Sequence, residues 1–236
     1  MLYLIGLGLS WKDISLKALE TIKNCDKVYL ETYTSISNFS TKQLSKLIGK
    51  KVIELNRDKV EKEVFNKEAK LKDIALLVYG DPLFATTHQQ FNAKIIHAPS
   101  IFDGIGETGL SPYKFGKVAS IPKPEKNFKP ESFFNILEDN QKINAHTLFL
   151  LDLKPPKFLQ ISEAIDLLLE ISKKRKSKVF TEDTICVACA RLGHDNQIIK
   201  KGKARELRKE KFGKAPYCLI VPSTLSFKEE EFLKNY

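Results

Sequence analysis

Residues 1–9, MLYLIGLGL, decide the fold. From Leu2 to Leu9 the run is apolar nearly throughout and alternates poorly, which is the pattern of a strand buried on both faces of a parallel sheet. Gly6 and Gly8 stand where this strand ends, so bare backbone can approach a ligand at the carboxyl edge of the sheet. The third glycine of a dinucleotide fingerprint is missing, because position 11 is Trp11. NAD is therefore disfavoured, and G-x-G alone is equally compatible with a tight strand-to-helix turn.

Outward from this strand, Asp13 or Ser15 can cap a helix whose apolar positions Leu16, Leu19 and Ile22 recur at helical spacing up to about Asn24. Lys27 to Glu31 reads as a strand, Thr41 to Ile48 as a helix, Lys51 to Leu55 as a strand, and Ile74 to Val78 as a buried strand ending at Gly80. A short strand from Lys94 to Ala98 leads into a stretch holding Gly104, Gly106 and Gly109, too rich in glycine to read as a helix. Beyond it come strands at Lys117 to Ile121, Thr147 to Leu153, Thr184 to Ala190 and Tyr217 to Val221, with helices near Glu131 to Asn140 and Ser162 to Ser172. Alternating elements of this kind predict an α/β protein. We divide it into an N-terminal α/β domain over residues 1–111 and a C-terminal α/β domain over residues 112–236.

The chain has 236 residues, 42% of them hydrophobic, enough to bury a core without staples. No run of about 18 apolar residues appears, so no membrane span is expected. The N-terminus lacks the basic region and cleavage site of a signal peptide, and a cytoplasmic location is expected. Cys25, Cys186, Cys189 and Cys218 are too few and scattered for a disulfide framework. Cys186 and Cys189 match C-x-x-C, but on a strand residues three apart point to opposite faces, so they read as buried packing. The net charge of +10 favours an acidic partner. The basic runs Lys173 to Lys178 and Lys200 to Lys211 read either as solvated faces or as docking surfaces for an acidic protein.

The segment from Gly80 to His88, GDPLFATTH, follows a buried strand at the edge where α/β proteins place ligands. Gly80 permits close approach, Pro82 stiffens the loop and Asp81 puts a carboxylate there; taken alone the tripeptide is also a plain turn. His97-Ala98-Pro99-Ser100-Ile101 repeats the arrangement. His88 and His97 have no Cys or carboxylate at ligand spacing, so no metal is expected.

In chain order, MLYLIGLGL, GDPLFATTH, HAPSIFDGIGETGLSPYKFGK, HTLFLLDLK and VFTEDTICVACARLG resemble successive blocks of the diphthine synthase family, archaeal type, across most of the chain. The G-x-G and GDP loops are shared with the wider tetrapyrrole methylase-like superfamily, while HAPSI and YKFGK narrow the resemblance. It implies two α/β domains with the methyl-donor cleft between them. It also implies methyl transfer from S-adenosylmethionine, released as S-adenosylhomocysteine, to the amino group of a 3-amino-3-carboxypropyl histidine on elongation factor 2. Three methyls are added in the archaeal branch. By motif, the donor-binding positions are Leu9, Asp81, Phe84, Ser100, Ile101, Leu151, Leu192 and Tyr217. Family members often carry valine at the position of Phe84 and histidine at that of Tyr217, and they have a longer loop between His88 and His97 and a longer C-terminal tail.

The resemblance further implies a homodimer, for which Phe133 to Leu137 and Ile165 to Leu169 are the expected apolar surface, and no direct binding of nucleic acid. An amine attacking a sulfonium methyl needs near-attack positioning and neither a metal nor a covalent nucleophile. The amine must first lose a proton, and the sequence names no acceptor for it; Asp81 reads as orienting the donor. Two other readings share some features: a methyltransferase acting on a tetrapyrrole, and a basic RNA-binding protein without enzymatic activity.

Overall fold

Strand β1, Leu2–Gly6, lies in the interior of its sheet, as a strand with no charged residue can. The computed structural model describes residues 1–34, 36–37, 40–126, 128–153 and 158–236. It forms two compact units, Met1–Gly104 and Ile105–Tyr236, whose division falls at the start of the glycine-bearing stretch rather than after it.

In the first unit, β1 joins β2 (Lys27–Glu31), β3 (Val52–Leu55), β4 (Ile74–Val78) and β5 (Lys94–Ile96) in a parallel sheet of order β3-β2-β4-β1-β5. Side-chain alternation sorts the strands into two cores. Ala75 and Leu77 of β4 face a cluster with Ala18 and Ile22 of helix α1 (Leu16–Asn24) and Leu44 and Ile48 of α2 (Thr41–Ile48). Ile74, Leu76 and Val78 face the opposite cluster, with Val60 and Phe65 of the short helices α3 (Arg57–Glu61) and α4 (Val64–Ala69). Ser15 caps α1 by accepting from the Ala18 amide, and Gly49 ends α2 in the left-handed conformation that glycine adopts without cost.

The second unit carries a mixed sheet of order β6-β7-β10-β8-β9, made of Ala119–Ile121, Thr147–Leu151, Tyr217–Val221, Ile185–Ala190 and Ile198–Lys203. Only β6 and β7 run parallel. Phe149, Ala188 and Leu219 pack beneath α6 (Ser132–Lys142) and α7 (Ile161–Arg175) through Phe133, Phe134, Leu137, Ile165 and Leu168. The other face buries Leu148, Val187, Cys189, Cys218 and Ile220. Cys186 and Cys189 therefore do lie on opposite faces, and Cys189 sits across the ladder from Cys218.

Several expectations change. β1 stops at Gly6 rather than Leu9, because Gly8 turns the chain at φ 79°. The glycine-bearing stretch does form helix: α5 (Ile101–Gly104) followed by a 3-10 turn over Ile105–Thr108, started by Ser100 and Asp103. The strand expected over Lys94 to Ala98 ends at Ile96, since the Ala98 amide is turned towards Asp81. The strand expected to reach Leu153 ends at Leu151, and Lys154 of that motif lies outside the described residues.

Candidate active site

The chain leaves β4, passes over the end of β1 and enters β5 on its far side, so three loops meet where the path of the sheet switches. Glycine makes the meeting possible. A Cβ on Gly6 would lie 2.7 Å from the Gly80 carbonyl oxygen, 2.8 Å from the Ala98 Cβ and 3.0 Å from the Pro82 Cδ. The Gly8 carbonyl accepts the Gly80 amide at 2.8 Å, and the Gly80 carbonyl accepts the Gly8 amide at 3.3 Å. Both glycines have φ in the left-handed region, 79° and 74°. A Cβ on Gly80 would meet nothing within 4 Å among the described residues, so this face of its backbone is open to a ligand.

Asp81 ties the second loop to the third. Its carboxylate is buried, 3% exposed, yet fully partnered. Oδ1 accepts the Leu83 amide at 2.9 Å, while Oδ2 accepts the Ala98 amide at 3.2 Å and meets Nδ1 of His97 at 2.8 Å. Hydrogen bonds from backbone amides to a carboxylate are of the strong, charge-assisted kind. Asp81 thus joins the second loop to the third.

The other positions expected in this unit gather at the same edge. Leu9 follows the Gly8 turn and is half-buried. Ser100 is buried, its hydroxyl donating to Asp103 at 3.0 Å and accepting from the Phe102 amide at 3.2 Å, which starts α5 at Ile101. Phe84 is half-exposed, its ring 5.0 Å from that of Phe102. The edge therefore presents open backbone at Gly80 beside an apolar rim of Phe84, Phe102 and Ile101.

In the second unit the expected residues share one end of the mixed sheet. Leu151 closes β7, Tyr217 opens β10 opposite Ala190, and Leu192 lies two residues beyond Ala190. All three side chains are buried, and Leu151 and Tyr217 belong to the core, so contact with a ligand there would fall to the backbone. Arg191, which the sequence did not single out, builds this end. Its guanidinium donates to the carbonyls of Asn196 (3.0 Å), Phe212 (2.9 Å) and Lys214, and the Tyr217 hydroxyl donates to the Gly213 carbonyl.

Residues 1–208 match the model of the tetrapyrrole (corrin/porphyrin) methylases. A diphthine synthase of Methanococcus maripaludis is 42% identical over 99% of this chain and 98% of its own. The chain belongs to the diphthine synthase family of tetrapyrrole methylases. A fission yeast relative, Schizosaccharomyces pombe diphthine methyl ester synthase, is 37% identical over all of this chain and 94% of its own. Among solved structures, an Entamoeba histolytica chain assigned as a diphthine synthase superposes with a TM-score of 0.92 at 35% identity, covering 100% of this chain and 98% of that one. Another diphthine synthase superposes at 0.89, again with 35% identity, covering 100% and 96%. Members of the diphthine synthase family are S-adenosylmethionine-dependent methyltransferases, and this chain is one by descent and by fold.

The open Gly80 backbone and the apolar rim fit such a donor, which combines a flat base with polar ends. His88, by contrast, is fully buried against Tyr33, Phe91 and Glu31, and burial lowers its pKa. It is a packing residue, far in character from the exposed His97. The cysteines are buried and inert: burial pushes the Cys186 thiol well up, and a hydrogen bond with Cys218 followed by burial does the same for Cys189.

One expectation about surface is corrected. Phe133, Phe134, Leu137, Ile165 and Leu168, expected to form a dimer interface, are in the core of the second unit. Parts of the basic runs are paired: Lys174 and Arg175 with Glu131 at 2.7 and 2.8 Å, Lys200 with Glu210 at 2.5 Å, and Lys203 with Asp183 at 3.0 Å. Residues Ile198–Lys203 form the edge strand of the mixed sheet, where lysines also discourage pairing with another chain.

Proposed function

We propose that the protein is a diphthine synthase, transferring methyl groups from S-adenosylmethionine to the amino group of the 3-amino-3-carboxypropyl histidine of elongation factor 2. The observation that carries this reading is full-length identity of 42% to a named diphthine synthase, supported by the loop cluster at the carboxyl edge of the parallel sheet. Leu9, Asp81, Phe84, Ser100 and Ile101 form the part of the donor site in the first unit, and Leu151, Leu192 and Tyr217 the part in the second. The donor supplies an electrophilic methyl and leaves as a neutral thioether, S-adenosylhomocysteine. The chain supplies position and a water-poor surface, which suits a reaction in which positive charge is dispersed.

Three methyls give diphthine, and the protein acts in the cytoplasm. Its net charge of +10 draws in the protein substrate, with the basic runs Lys173 to Lys178 and Lys200 to Lys211 as candidate steering surfaces. A homodimer is retained in this reading, with exposed aromatic residues such as Tyr113 and Phe227 in place of the stretches now found in the core. Labelled S-adenosylmethionine offered with elongation factor 2 bearing the precursor side chain, or with a porphyrinoid, tests the assignment. Label is expected in the factor. Label in the porphyrinoid instead would move the chain to another branch of the superfamily.

A further inference from the structure

An alkyl ammonium has no lone pair, so the acceptor amine must give up a proton before it can be methylated, and some group has to receive it. At the three-loop edge most polar side chains are engaged. Asp81 is fully partnered, Asp103 is bound to Ser100 at 2.6 and 3.0 Å, and Asp13 accepts the Ser10 amide at 2.7 Å. His97 differs. Its side chain is 65% exposed, and among the described residues its hydrogen bond is from Nδ1 to Asp81 Oδ2 at 2.8 Å.

That bond dictates the chemistry of the other nitrogen. Both oxygens of Asp81 already accept backbone amides and so act as acceptors, and Nδ1 facing Oδ2 therefore carries the hydrogen and donates it. Nε2 is then the bare nitrogen of a ring whose side chain is largely exposed. A buried carboxylate fixing an exposed imidazole in this tautomer is the arrangement that makes a histidine a proton acceptor. The other charged side chains on the elements beside it are turned elsewhere: Lys94, on its own strand, lies over the Tyr3 ring, and Asp103, on the helix that follows, is held by Ser100.

We infer that His97 Nε2 is the proton acceptor for the amine that is methylated, and that Asp81 is the positioning residue that presents it. The inference rests on the function proposed above. The N–H bond of the ammonium breaks, its electron pair remains on nitrogen, and the proton bonds to Nε2. The freed pair attacks the donor methyl, and the imidazolium returns its proton from Nε2 to water. The same cycle serves each successive methylation that begins from a protonated amine.

Two measurements test this on the intact protein. In single-turnover assays with saturating S-adenosylmethionine and precursor-bearing elongation factor 2, His97→Gln should lower the rate by on the order of 10²-fold. Its affinity for S-adenosylhomocysteine, read by calorimetry, should be unchanged, and added imidazole should restore part of the rate to His97→Ala. Long-range proton–nitrogen correlation spectra of the unliganded protein should show His97 protonated on Nδ1, with that preference lost in Asp81→Asn. Equal rates in the unaltered protein and His97→Gln, a matching loss of donor affinity, or a proton found on Nε2 of the neutral ring would each overturn the assignment. No transfer by the unaltered protein would overturn the proposed function and this inference with it.

Discussion

Gly8 and Gly80 exchange backbone hydrogen bonds, amide to carbonyl in both directions, at 3.3 and 2.8 Å. The pair fastens the loop after β1 to the loop after β4 while leaving the Gly80 Cα facing open space. A methyl placed there meets no protein atom, and its folding cost is that of a left-handed residue, about 1–2 kcal/mol. It does, however, occupy the ground a donor would use. Gly80→Ala should therefore weaken S-adenosylhomocysteine binding by more than its effect on stability accounts for, on the order of tenfold. Gly6→Ala, whose Cβ would collide with backbone 2.7 Å away, should lose stability first. Calorimetry and urea unfolding of the two variants check this; equal donor affinity in Gly80→Ala and the parent would place the donor elsewhere.

Asp81→Ala removes the acceptor for two amides and an imidazole, leaving the Leu83 and Ala98 amides short of a partner. The expected cost is about 1–3 kcal/mol for each amide that stays dry, with a fall in donor affinity as the loops part. Lys174→Ala breaks an ion pair with Glu131 whose lysine is 70% exposed, and should change neither quantity measurably. Comparable donor affinities in the two variants would show that the loop clasp has no part in binding.

The pair His146 and Glu229 makes stability depend on pH in the second unit. Nδ1 of His146 accepts the Ser223 amide at 3.0 Å, so Nε2–H donates to Glu229 at 2.8 Å. Burial lowers the pKa of His146, outweighing the opposite pull of Glu229. Burial alone would raise Glu229, but bonds from Ser226, His146 and Ser111 hold its carboxyl well below the usual range. Both folded values lie under the unfolded ones, so both contributions are present at high pH and fade on acidification. That of His146 begins to fall near its unfolded value of about 6.5, and that of Glu229 below about 4.3. Unfolding free energy should drop from pH 8 to pH 5, and the drop should shrink in His146→Gln; the remainder includes His88, shifted in the same direction. Parallel pH curves for the two proteins would remove His146 from this account.

Much of the fold was legible because its signals are local. The strands at Lys27–Glu31, Ile74–Val78 and Tyr217–Val221 and the helix Thr41–Ile48 are bounded by polar, glycine or proline residues that the chain displays openly. Ile198–Lys203 was not, because an edge strand carrying lysines lacks the apolar alternation that marks a buried one. Helix α5 was hidden for another reason: Ser100 and Asp103 start it against the glycine content, and that bond is invisible to composition. At the site, each loop could be read separately. The link between Asp81 and His97, sixteen residues on, depends on β1 lying between β4 and β5, and strand order is a property of the folded sheet. Arg191 escaped for the same reason, since its carbonyl partners come from two separate loops.

The most direct measurement is mass spectrometry of the modified histidine of elongation factor 2 after incubation with this protein and S-adenosylmethionine. The account predicts methyl groups on the amino nitrogen of the precursor, accumulating to three. A factor recovered with its precursor side chain unmethylated, under conditions where the protein binds the donor, would contradict it.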